Sequence, residues 1–153
     1  MNVKLVGGGI VFIIAAFVGQ DMYFDAKDEE KFRQQSRSFK IDDKLRSEMK
    51  GLPLKVDLLN QYPNMFFYFT FTEPLEIKVE NFESELQKIG CQTIQHLVSS
   101  DDTHYTKAAI NVIQKDNITL TYVVKNYQYR EIFKNRVELS SCSEFKTLQG
   151  KYA

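Results

Sequence analysis

From Leu5 to Gly19 the chain carries no charged or strongly polar side chain: LVGGGIVFIIAAFVG. Such a run cannot be left in water. It must be buried in lipid, buried in protein, or removed after export. A helix rises ~1.5 Å per residue and the hydrocarbon core of a bilayer is ~30 Å thick, so about 20 residues span it. The run is short for that unless Met22–Phe24 extends it, with Tyr23 and Phe24 in the interfacial aromatic position.

Three fates compete. A cleaved signal has Lys4 and the apolar stretch in its favour, but Ala15-Ala16 lies inside the run and no Ala-x-Ala site follows. A buried soluble helix must accommodate Gly7-Gly8-Gly9, at ~1 kcal/mol each relative to Ala. A retained signal-anchor explains the missing cleavage site and tolerates the glycines, which are commoner in membrane helices. Lys4 and the amino terminus precede the run; Asp21, Asp25, Asp28, Glu29 and Glu30 follow it with only Lys27 among them. Although acids contribute little and Lys31 and Arg33 come soon after, the basic side is the amino-terminal one. The anchor is favoured, with the amino terminus inside and the remainder outside the cytoplasm.

Residues 25–51 are charge-dense, with Phe32, Phe39, Ile41, Leu45 and Met49 as a sparse apolar stripe. This predicts a charged helical stalk of one or two helices, stopped by Gly51 and Pro53. Period two then takes over. Leu54, Val56 and Leu58 alternate with Lys55 and Asp57; after a turn at 60–64, Met65, Phe67, Phe69 and Phe71 form one face of a second strand. Phe66, Tyr68, Thr70 and Thr72 form the other face, and no Arg or Lys interleaves with these aromatics. That favours core packing over a stacking platform for nucleic-acid bases.

Leu75, Ile77 and Val79 suggest a further edge strand. Asn81 can cap a helix reaching about Leu97, on which Leu86, Ile89 and Cys91 fall on apolar stripes. Tyr105, Ala109, Val112 and Ile113 mark a second helix. Ile118, Leu120, Tyr122 and Val124 alternate in a strand that turns at Asn126–Gln128 and returns over Tyr129–Leu139. The expected fold class is α+β: an N-terminal membrane helix, a linker helix, then one antiparallel sheet of two hairpins with a helical pair on one face. The expected organisation is 1–24 signal-anchor or signal peptide, 25–51 stalk, 52–142 α+β domain and 143–153 a loosely ordered tail.

Twenty Lys+Arg balance twenty Asp+Glu. Without a basic run longer than two residues, nucleic acid is not an expected partner. The chain has two cysteines, Cys91 and Cys142, in no zinc-ligand spacing. In an exported domain an even pair reads as one structural disulfide. His96 and His104 are the two histidines; Asp101-Asp102-Thr103-His104 is too small a cluster to argue a metal centre. No GxSxG, GxGxxG or phosphate-loop pattern occurs. Asp42-Asp43 and Glu29-Glu30 sit on charged segments with no apolar pocket to perturb them. No catalytic residue, metal or cofactor is therefore expected.

The stretch Leu52-Pro53-Leu54-Lys55-Val56-Asp57, the strand Phe67–Thr72, the helix with Cys91, and the Thr119-Leu120-Thr121-Tyr122 hairpin ending near Cys142 resemble a loose group of small exported bacterial proteins. The resemblance covers roughly Arg46–Cys142. It implies a periplasmic α+β domain and no activity. The functional expectation is a non-enzymatic domain tethered in the bacterial inner membrane and facing the periplasm. It would work through protein contacts, as an accessory subunit of an envelope or secretion complex. The alternative is a periplasmic small-ligand-binding domain released by cleavage. An enzyme using His104 with Asp101 or Asp102 is a third possibility.

Overall fold

The structure, a computed structural model, describes residues 29–41, 43–48, 50–74, 82–97 and 103–152. The elements run α1 Glu29–Ser38, α2 Asp43–Glu48, β1 Leu54–Gln61, β2 Asn64–Phe71, α3 Phe82–Leu97, α4 Thr103–Asp116, β3 Thr119–Lys125, β4 Glu131–Glu138, a 3-10 turn Leu139–Ser141 and α5 Ser143–Tyr152. The expected N-terminal anchor and the expected edge strand at 75–79 lie outside the described residues. Among the described residues, no helix is long and apolar enough to cross a membrane.

The protein is α+β, with a four-stranded mixed sheet in the order β1-β2-β3-β4. Each hairpin read from the sequence is present. β1 pairs antiparallel with β2 from Leu54↔Phe71 to Gln61↔Asn64, and β3 pairs antiparallel with β4. The expectation of one antiparallel sheet is corrected at the joint, because β2 and β3 are parallel, with Phe67 beside Tyr122. The cause lies in the helical crossover. α4 ends at Asp116, which accepts a hydrogen bond from the Tyr62 hydroxyl in the β1–β2 turn. The Thr119 amide then donates to the Pro63 carbonyl (3.1 Å). β3 thus starts at the end of the sheet where β2 starts, and it can only run alongside it.

The strand pattern sorts the faces. Met65, Phe67, Phe69 and Phe71 are all buried, and register places Leu120, Tyr122 and Val124 beside the first three. Each such side chain contributes ~1.5–3 kcal/mol on burial. Helices cover this face: Leu86, Ile89 and Ile94 of α3, Ala109, Val112 and Ile113 of α4, and Phe145 of α5 share one core with it. The opposite face carries Phe66 and Tyr68 of β2, Thr121 and Val123 of β3, and Lys134 and Arg136 of β4.

Two further expectations change. Residues 143–153 were expected to be loosely ordered, but 143–152 form α5, which buries Phe145 and packs Leu148 and Tyr152 against the core. Their spacing of three and four residues puts them on one helical face. The segment expected as a charged helical stalk with a sparse apolar stripe packs that stripe against the domain at α1: Phe32 is 5% exposed and its ring lies 6.1 Å from that of Tyr105.

Candidate functional site

Cys91 and Cys142 lie at disulfide-bonding distance, with Cα atoms 5.5 Å apart. Helical periodicity puts Cys91 on the sheet-facing side of α3, one residue after Gly90. A Cβ at Gly90 would meet Tyr122 Oη and the Val137 methyls at 3.2 Å, so glycine lets α3 approach the sheet closely. From β4 the 3-10 turn carries the chain under α3, where Cys142 is 3% exposed. The Glu144 carboxylate lies within 4.8 Å of both sulfurs. Sulfurs bonded to each other offer no thiolate, so in the oxidised state this trio is not a metal-ligand set. The pair named from the sequence is thus brought together by helix-on-sheet packing.

A second constellation fastens α1. Arg33 donates from Nε (2.8 Å) and Nη2 (3.0 Å) to the two oxygens of Asp116. Tyr62 donates its hydroxyl to the same carboxylate. Arg37 lies over the Tyr62 ring at 5.2 Å, and Lys115 reaches Glu29 at 2.9 Å. The Arg33 hydrogen bonds, reinforced by that of Tyr62, hold the Asp116 carboxyl below its ordinary range against the opposing effect of burial. Burial first, and the bond to Asp116 second, push the Tyr62 hydroxyl up. The hydrogen bond from Lys115 chiefly lowers Glu29. A carboxylate held this low and this fully bonded is a poor base. The Asn60 side-chain amide also donates to the Ser36 (2.6 Å) and Phe39 (3.1 Å) carbonyls, satisfying groups that the end of α1 leaves open. The constellation is a clamp between α1 and the domain.

The third feature is the β3–β4 tip. Asn126 organises it: its side-chain oxygen accepts from the Gln128 (3.0 Å) and Arg130 (2.9 Å) amides, and its carbonyl accepts from the Tyr129 amide (2.9 Å). Tyr129 has φ 62°, an uncommon conformation for a bulky residue, and is 72% exposed. Tyr127 is 44% exposed beside it. Lys125 places its ammonium 5.0 Å from the centre of the Tyr68 ring. The sequence reading identified the turn but did not single out its tyrosines. Their signal was the pattern Asn-Tyr-Gln-Tyr-Arg, in which aromatics occupy positions usually taken by small polar residues.

A groove of about 250 Å³ lies between α4 and α5, lined by Lys107, Ile110, Asn111, Gln114, Gln149 and Tyr152. Of the histidines, His96 falls within α3 and His104 within α4. Asp101 and Asp102 lie outside the described residues, so the cluster considered around His104 does too.

Among the described residues these elements define a small α+β domain: a mixed sheet, helices on one face, one cysteine pair at disulfide distance and the helix α1 clamped onto the body. Compared with protein-family models, curated proteins and solved structures, the chain has no match in any of the three.

Proposed function

We propose that the protein is a membrane-anchored domain displayed on the periplasmic side of the bacterial inner membrane, acting through protein contacts as an accessory subunit of an envelope or secretion complex. Residues 1–24 serve as the signal-anchor. The observation that carries this reading is the Cys91–Cys142 pair at bonding distance, in a chain that opens with an uncharged run from Leu5 to Gly19. Disulfides persist in oxidising compartments, and that run is the segment suited to deliver the domain there. The exposed tyrosines of the β3–β4 tip support work through contacts, because Tyr and Arg are enriched where interfaces concentrate their energy.

The test is a carboxy-terminal fusion to alkaline phosphatase in a bacterial host, combined with carbonate extraction and intact mass. The reading expects an active fusion, retention in the membrane pellet and a mass that includes residues 1–24. A mature chain beginning near Asp21 would replace the anchor with a cleaved signal. An inactive fusion with both thiols free would remove export altogether. A strictly monomeric protein with no companion after extraction in mild detergent would count against a role as a subunit.

The groove between α4 and α5 favours the second reading, a released domain that binds a small ligand. Its volume falls just under the ~300–1,000 Å³ usual for ligand pockets, so this reading ranks below the first.

A further inference from the structure

We propose that the outward face of the β3–β4 hairpin docks an acidic segment of a partner protein, at the end of the domain remote from the α1 clamp. The orientation relative to the membrane rests on the anchored reading above; the docking chemistry does not.

Strand register builds the surface. Phe66 of β2 pairs with Thr121, which pairs with Arg136; Tyr68 pairs with Val123, which pairs with Lys134. Each row therefore runs from a half-buried aromatic, across a residue only 3% exposed, to an exposed cation, so the accessible part of the surface is the β4 edge. Lys125 adds a third cation, already seated at the Tyr68 ring. Arg130 adds a fourth at the tip.

The charge of this hairpin is not that of the chain. From Lys125 to Glu138 there are four cations, Lys125, Arg130, Lys134 and Arg136, against two acids, Glu131 and Glu138, whereas the whole chain balances twenty against twenty. Arg130, Lys134 and Arg136 are exposed and form no ion pair among the described residues. Charges on an edge strand ordinarily guard against unwanted strand pairing. On this same face Glu131 stands opposite Lys125 and Glu138 lies two residues beyond Arg136, so the cations left over are Lys134 and Arg136 on successive outward positions of β4. Guarding needs charge of either sign and does not call for two neighbouring cations with no acid between them. An acidic segment satisfies both. Residues two apart on a strand project to the same face ~7 Å apart, a spacing that an extended chain with alternate carboxylates repeats. Arg binds carboxylates through paired hydrogen bonds.

The tip adds a rigid anchor. Tyr129 is held by the Asn126 bonds in an uncommon backbone conformation and stands 72% exposed. A backbone fixed before contact loses less freedom on binding than an open loop would. Position also matters. α1 is fastened at Asp116 and Tyr62, where β3 begins, and the tip follows Lys125, where it ends, ~20 Å along the strand. If the chain reaches the membrane from α1, Tyr129 is presented away from it.

The experiment uses the full chain in mild detergent and a fluorescein-labelled peptide of alternating Glu and Leu, read by anisotropy at low salt. Saturable binding is expected, weakened at least tenfold by the double variant Lys134→Glu/Arg136→Glu and by Tyr129→Ala. Charge reversal at exposed Lys146 on α5 should leave it unchanged, and melting temperatures should match the parent. Absence of binding, or equal loss from Lys146→Glu, would overturn the proposal. Tighter binding of a mixed-sequence oligonucleotide or of phosphatidylglycerol vesicles than of the peptide would also overturn it, in favour of a phosphate-bearing partner. The fusion assay reads anchoring and anisotropy reads docking, so either can fail alone.

Discussion

Reduction of the Cys91–Cys142 pair is the sharpest perturbation that the fold offers. The cysteines are 51 residues apart in sequence. In the chain-entropy treatment, a link closing a loop of that size removes about 14 cal/mol/K from the unfolded chain, or about 4 kcal/mol at 25 °C. A domain of this size is stable by ~5–15 kcal/mol, so the link is a large fraction of the whole. Urea unfolding of the oxidised chain should therefore lie well above that of the same chain in a strong reductant. The melting temperature should fall by roughly 10–20 °C on reduction. Reduction is preferable to substitution here, because both sulfurs are buried and alanine would add a packing loss. The slope of the urea transition should also rise in the reduced chain, whose unfolded state is less compact. A difference below about 1 kcal/mol, with equal slopes, would refute the reasoning: the loop would then be no more restricted with the link than without it.

Asp116→Asn should cost about 1–2 kcal/mol, a charge-assisted pair discounted for its partial exposure, and should expose α1 to protease before the sheet unfolds. The pH dependence has a defined sign. Asp116 sits below its ordinary value of 3.8 when folded, so its contribution is present above about 3.8 and lost as pH falls through the lower folded value; the gap between parent and Asp116→Asn should close at acid pH. Gly90→Ala sets the ~1 kcal/mol helix gain of alanine against a Cβ that would meet Tyr122 and Val137 at 3.2 Å. With Tyr122 and Val137 fully buried, the contact should outweigh the gain and lower the urea midpoint, and a raised midpoint would show that α3 moves away freely. Phe145→Ala should cost about 3–5 kcal/mol in chemical unfolding, since the ring is 1% exposed; a cost below 1 kcal/mol would return α5 to the status of a loose tail.

Alternation of side chains reports which face of a strand is buried, and it does so locally. That is why Met65–Phe71 and Leu120–Val124 were legible as strands, and why the helical spacing of Tyr105, Ala109, Val112 and Ile113 located α4. The hairpins were also legible, because short turns force adjacent strands to run in opposite directions. Nothing local specifies how two hairpins meet. The parallel joint of β2 and β3 follows from where α4 delivers the chain, beside the β1–β2 turn, where Asp116 meets Tyr62, 54 residues away. The same blindness affected α1. Its charges at 29, 30, 33 and 37 have the spacing of a solvated face. Arg33 instead finds its partner 83 residues on, and Phe32 finds a ring on α4.

The candidate sites divide along the same line. The cysteine pair could be read from an even count, an export-like start and a helical stripe that carried Cys91 inward. The hairpin face could not. A search for cations beside Phe66 and Tyr68 within their own strand finds none, and on that evidence the aromatics look like core alone. Pairing through β3 brings Lys134 and Arg136 across from them, from nearly seventy residues further along the chain. A surface assembled across three strands has no sequence motif, because its spacing is fixed by register and not by chain distance. What the sequence does carry is an excess of cations over acids in one short hairpin of a neutral chain. That imbalance can be tested on its own: reversing Lys134 and Arg136 turns the excess of two cations into an excess of two acids without touching a buried residue.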